Sequence, residues 1–211
     1  KRLLKAIIFS QCFITSTSFA TTGGGQSIEL LGYEHKEKKL FLFRHFEDAS
    51  GRLPQLYYYQ FNNTNKAPAL IEVKSLYINP QTKQIDYYLD HKQFDREIAK
   101  IQKRLTPLIE VKDLAPAINI TNQTAVQVPT WYDEHESQDQ YNYLYQVKSN
   151  GFSSAVQQAT AYRPELHIAQ KFRIPKQNKI LVTVEYFGIP IETGYNIEDP
   201  VLLTPNKASR R

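Results

Sequence analysis

From Ile180 to Phe187 the side chains alternate without a break: Ile180, Val182, Val184 and Tyr186 against Leu181, Thr183, Glu185 and Phe187. A period of two puts these sets on opposite faces of an extended strand and fits no helix. Similar short runs, rich in aromatic and β-branched residues, recur along most of the chain between clusters of Gly, Pro, Asn and Asp. Ser27–Tyr33, Leu40–Phe46, Gln55–Phe61, Ala69–Ile78 and Ile85–Leu89 read as a five-stranded antiparallel meander. Ala125–Tyr132, Gln140–Lys148, Leu166–Ile174 (with Gln170 interrupting the phase), Ile180–Phe187 and Ile191–Leu203 read as a second β-rich region with the spacing of a sandwich. Residues 152–162 fit either a strand or a short helix.

One segment breaks this pattern. In residues 90–105, Phe94, Ile98, Ile101 and Leu105 recur at helical spacing and share an arc of about 60°. Asp90 is a natural N-cap, Gln93 completes a capping-box pattern, and Pro107 stops the helix by disfavouring helical geometry at Thr106. So narrow an apolar stripe predicts a helix resting on a sheet face, with Phe94, Ile98, Ile101 and Leu105 buried together. The fold class expected is mainly β (α+β): an antiparallel β-meander, one amphipathic helix, then a β-sandwich-like C-terminal half. The meander and helix occupy 27–111, a Pro-, Asn- and Thr-containing linker 112–124, and the sandwich-like region 125–203. A flexible leader at 21–26 and a disordered basic tail at 204–211 flank them.

The first twenty residues have the form of a signal peptide: Lys1, Arg2 and Lys5, then an apolar stretch from Ala6 to Ile14, then Ser18-Phe19-Ala20 as a cleavage site. The apolar stretch is too short to span a bilayer, which takes about 20 residues, so no transmembrane segment is expected after cleavage. Lys1, Arg2 and Lys5 supply three of the net +5 charges, and Lys207, Arg210 and Arg211 supply three more, which leaves residues 21–206 at −1. The basicity is therefore concentrated at the ends and argues against nucleic acid as a partner. Cys12 is the single cysteine, so the chain beyond residue 20 has neither disulfides nor thiolate chemistry. Export, freedom from disulfides and roughly 190 remaining residues, enough for a sizeable core, fit the periplasm or cell surface of a Gram-negative bacterium.

Chemistry is most concentrated around the only tryptophan. Trp131 and Tyr132 lead into the acidic loop 133–139, with Glu134, His135, Glu136 and Asp139, and Tyr141, Tyr143 and Tyr145 follow on one strand face. Aromatic rings beside carboxylates are what a glycan site uses, because ring faces meet sugar C–H groups while acids accept from hydroxyls. The candidate ligand-binding set is thus Trp131, Tyr132, Glu134, Glu136, Tyr141, Tyr143 and Tyr145. The same acids lack the His-Glu-x-x-His spacing of a zinc site, and no metal or other cofactor is assigned. On the helix, Arg96, Lys100, Lys103 and Arg104 cluster away from the apolar stripe and form a candidate contact for an anionic surface. No nucleophile elbow or triad is legible, and His35, His45, His91 and His167 stand singly. The function expected is an exported envelope protein, a non-enzymatic binding or structural module for an envelope protein or glycan that works through aromatic strand faces. The competing expectation is a secreted or periplasmic hydrolase that cleaves glycans with acids of the loop 133–139.

Overall fold

A computed structural model describes residues 24–61 and 68–206. The signal segment 1–20, residues 21–23 of the leader, the turn at 62–67 and residues 207–211 of the tail lie outside the described residues. The strands are β1 (Gln26–Glu34), β2 (Lys39–Phe46), β3 (Gln55–Gln60), β4 (Leu70–Glu72), β5 (Ile109–Glu110), β6 (Ala117–Pro129), β7 (Ser137–Ser149), β8 (Phe152–Ser154), β9 (Gln157–Ala161), β10 (Leu166–Arg173), β11 (Ile180–Ile189) and β12 (Tyr195–Pro205). The single α-helix among the described residues, α1, covers His91–Gln102. The protein is mainly β with one helix, as the alternating pattern implies.

The strands form one curled sheet. Its main path runs β4-β3-β2-β1-β12-β11-β10-β5, and β1 meets β12 in parallel while its pairing with β2 is antiparallel. A branch leaves β12 through β8, which pairs with both β12 and β7, and β7 pairs in turn with β6 and β9. The short β8 therefore turns the corner between two layers. Tyr143, Tyr145 and Val147 of β7 and Ala159 and Ala161 of β9 close over Val182, Val184 and Tyr186 of β11 and Val201 and Leu203 of β12. This is the sandwich-like half, and the outward-facing polar residues of its strands explain the alternation.

The other face of β11 and β12 joins the meander. Leu181 and Leu202 pack with Ile28, Tyr33, Leu40, Leu42 and Tyr59 in a second core. On the outer side of the meander, α1 lays Phe94 and Ile98 against Phe41, Phe43, Leu56 and Tyr77, with Ile101 and Leu105 half-buried at the margin. The Asp90 side chain accepts from the Lys92 amide at 2.9 Å, the N-cap expected from the sequence. Past its C-terminus, Thr106 exchanges backbone hydrogen bonds with Tyr33 at 2.8 and 2.9 Å. Gly32, at φ +139°, allows this approach, since a Cβ there would lie 2.8 Å from the Thr106 carbonyl oxygen.

Several boundaries differ from those expected. Residues 117–124, read as part of a linker, belong to β6, whose Asn and Thr side chains suit a strand exposed along most of its length, with Ile118 packed against the core. The stretch 112–124 consequently does not separate two sheets, and β5 from one side of it pairs with β10 from the other. Ala69–Ile78 is not one strand. β4 ends at Glu72 and Lys74–Tyr77 form a 3-10 turn that swings Tyr77 inward, where its hydroxyl donates to Pro54 O and accepts from Leu56 N, each at 2.6 Å. Ile85 makes only an isolated bridge to Ile78, so the meander has four strands. At the ends, Gly24 is buried against the Glu47 backbone and Gln26 already belongs to β1, while β12 continues through Thr204 and Pro205 against β8. The leader and tail readings thus fail at 24–26 and 204–205.

Candidate functional site

The β6–β7 hairpin carries the candidate glycan residues, and it separates them. Its loop holds itself together: Thr130 N donates to Glu136 O at 2.9 Å, Thr130 Oγ1 to Asp133 O at 2.8 Å, and His135 N to Asp133 Oδ1 at 2.8 Å. Held on this turn, Trp131 and Tyr132 are 52% and 62% exposed and meet edge to face with ring centroids 5.5 Å apart. The Tyr132 hydroxyl donates to Glu136 Oε2 at 2.7 Å, and this bond to a carboxylate raises the phenol above its ordinary pKa. Glu134 and His135 project into solvent beside it.

Farther down β7 the aromatics turn inward. Tyr141 is half-buried, donates to Asp139 Oδ2 at 3.2 Å, and stacks on Tyr143 at 6.4 Å. Tyr143 and Tyr145 are buried in the core between the layers. With about 3.3 Å per residue, Tyr143 lies roughly 20 Å along the strand from Ser137 at the loop. The structure therefore brings Trp131, Tyr132 and Glu136 together, leaves Glu134 beside them, and assigns Tyr143 and Tyr145 to packing.

The basic face of α1 is partly spent on internal pairs. Arg104 Nη1 lies 2.8 Å from Glu34, whose carboxylate is buried, and 3.4 Å from Glu37. Lys100 pairs with Glu97 at 2.7 Å. Arg96 and Lys103 are exposed without a carboxylate partner among the described residues. Two isolated cations are a weak foothold for an anionic surface.

A cleft of about 380 Å³ opens between β4 and the β7–β9 layer, lined in part by Arg44, Tyr59, Tyr145, Gln157 and Asp199. Arg44 Nη2 meets Asp199 Oδ1 at 2.6 Å and Nη1 donates to Gln26 Oε1 at 2.9 Å, while Tyr186 donates to Asp199 Oδ2 at 2.6 Å. Both charges are thus answered within the protein, and the cluster acts as a clamp between β2 and β12. Sequence reading missed it. The available signal was an arginine in the apolar run Leu40–Phe46 and two consecutive acids, Glu198 and Asp199, in an apolar strand.

The tyrosines around this clamp make a pH prediction. Burial first, and the Asp199 charge second, push Tyr59, Tyr145 and Tyr186 above the ordinary 10.0 of a free phenol. A phenol whose pKa is raised on folding contributes full stability below pH 10, and the contribution declines as pH rises past the unfolded value. Alkaline unfolding should therefore begin above about pH 10. Absorbance at 295 nm should show the buried tyrosines ionising only together with loss of the β-sheet circular dichroism. Ionisation of all 14 tyrosines before any loss of structure would contradict the assignment.

Among the described residues, no helix is long and apolar enough to cross a membrane and no three His, Cys, Asp or Glu gather as a metal site. No protein-family model, curated protein or solved structure matches the chain.

Proposed function

We propose that this chain is a non-enzymatic binding module exported to a bacterial envelope, and that it holds a glycan at the tip of the β6–β7 hairpin. The observation that carries this reading is the placement of the only tryptophan. Trp131 packs in none of the three cores and presents a half-exposed ring next to Tyr132. An aromatic pair displayed on a self-bonded turn offers flat apolar area at little conformational cost. The carboxylates of Glu134 and Glu136 beside it supply acceptors for hydroxyl or amide donors. The ligand surface is this tip rather than the strand face, since Tyr143 and Tyr145 are enclosed.

The hydrolase reading draws less support from the same geometry. The Glu134 side chain is 86% exposed on a convex turn. A glycoside hydrolase sets two carboxyls across an enclosed substrate, with one desolvated enough to remain protonated.

Titration calorimetry with neutral and N-acetylated oligosaccharides tests the proposal. Trp131→Ala should weaken binding by about tenfold or more, roughly 1.4 kcal/mol, and leave the unfolding midpoint within about 0.5 kcal/mol of the parent. Glycan binding indifferent to Trp131, or no glycan bound at all, would reject the site. Hydrolysis that disappears when Glu134, Glu136 and Asp139 are changed to alanine would favour the enzyme instead.

A further inference from the structure

The outer edge of β6 is unlike the other edges of the sheet. β6 is 13 residues long, against about 5–6 for an ordinary strand. Among the described residues it pairs only with β7, so its second edge carries no strand. Sheet edges are normally protected by charge, proline or a bulge. From Ala117 to Pro129 there is no charged side chain. The bulge at Thr121, between Ile120 and Asn122, and the proline at position 129 guard only the two ends. Between them, residues 122–128 form a regular, uncharged run that is solvent-exposed except at the half-buried Val128.

We infer that this run pairs with its counterpart in a second copy of the chain, antiparallel, about a two-fold axis at Ala125. The axis follows from the limits of the run, since Ala125 is the midpoint of the stretch between bulge and proline. Such an axis keeps each side chain on the same side of the joined sheet. Pairing with β7 puts Gln123, Ala125 and Gln127 on the core side and Asn122, Thr124, Val126 and Val128 on the other. A two-fold at Ala125 then sets Gln123 opposite Gln127, Thr124 opposite Val126 and Asn122 opposite Val128 of the second copy. Each pair shares a face, and the β-branched Thr–Val pairs are favourable neighbours in a sheet. Val126, 45% exposed, gains cover on both sides of the junction.

Charge favours a second copy over a charged partner strand. An identical neutral strand brings no like charges together, whereas a charged strand would find no counter-charge on this edge. The nearest acid on β7, Asp139, is already engaged by the Gln127 side chain. An isologous contact also closes on itself, so the product is a dimer and not a filament. The inference does not depend on the glycan reading, because the paired run ends before Trp131.

Sedimentation equilibrium of the full chain across a wide concentration range is the test. The parent should reach twice the monomer mass. Thr124→Lys with Val126→Lys puts lysines opposite lysines and should weaken association at least tenfold with an unchanged circular dichroism spectrum. Mixing that variant with Thr124→Glu/Val126→Glu should restore a heterodimer, a result that misfolding would not produce. In a Cys12→Ser background, Ala125→Cys should oxidise to a covalent dimer, while Asn119→Cys should not. A parent that stays monomeric, a dimer insensitive to the lysines, or equal crosslinking at positions 119 and 125 would overturn the inference.

Discussion

Replacing Glu198 with alanine is expected to lower the free energy of unfolding by about 3–5 kcal/mol. Glu198 is only 5% exposed, yet no cation neutralises it among the described residues. Its carboxylate is held by donors from three strands: the Ile28 amide at 2.7 Å, the Gln170 side chain at 2.7 Å, and the Thr183 hydroxyl. Gln170 also donates to Ile28 O at 2.9 Å and receives its own place from the irregularity in β10, where its amide bonds Thr183 Oγ1 at 3.0 Å. The side chain takes over part of a backbone ladder. The parallel contact of β1 with β12 has a single register pair, Gln26 with Ile197, and Glu198 supplies the acceptor that β12 does not offer Ile28. Alanine leaves the Ile28 amide and the Thr183 hydroxyl without this acceptor, and Gln170 with only its bond to Ile28 O, in a dry interior where each orphan costs about 1–3 kcal/mol. Glutamine retains one acceptor oxygen and should cost less, about 1–2 kcal/mol. Urea unfolding of both variants, with the m-value compared to confirm an unchanged transition, measures the difference. A loss below about 1 kcal/mol for alanine would show that water enters and replaces the carboxylate.

Phe94→Ala is the second large effect, expected at about 3–5 kcal/mol. The ring is 6% exposed and lies 5.9 Å from Phe43 and 5.8 Å from Tyr77, bridging the meander surface and the 3-10 turn. Its loss opens a cavity between elements that a narrow helical stripe does not refill by shifting, because Ile98 is the only other buried residue of α1. For a chain of this size each kcal/mol is worth about 2–4 °C, so the midpoint should fall by roughly 6–20 °C. Ile101→Ala, at the half-buried margin, should cost distinctly less. Equal losses at 94 and 101 would place the helix differently on the sheet.

These two residues also mark where sequence reading succeeds and where it stops. The spacing of Phe94, Ile98, Ile101 and Leu105 records a local relation within one element, and the helix forms over 91–102 with that face inward. The alternation of Ile180–Phe187 is equally local, and the break at Gln170 coincides with the irregularity in β10. Glu198 is different, since its donors lie on β1, β10 and β11 and no local pattern records them. Arg44 and Asp199 likewise meet across 155 residues. At the candidate site, alternation puts Tyr141, Tyr143 and Tyr145 on one face but carries no information on whether that face meets solvent or a second layer. The layer that covers them is β11 and β12, while β9, from a stretch that fitted either strand or helix, lies beside β7 in their own layer. Trp131 could be recognised as the chain's most informative aromatic, while its display at a turn depended on hydrogen bonds among Thr130, Asp133 and Glu136.

The junction of β1 with β12 orders events in time. The core beneath α1 draws all its members from residues 31–105, so it can assemble once that length of chain is free. The core on the opposite side of the meander includes Ile174, Leu181 and Leu202, and the bond from Ile28 to Glu198 spans 170 residues. A chain emerging from the ribosome keeps the β1 edge open until the last strand arrives. Such distant closure slows folding. During that interval the meander is an unfinished sheet, so the step that completes the molecule is also the one that ends its exposure to misassembly and proteolysis.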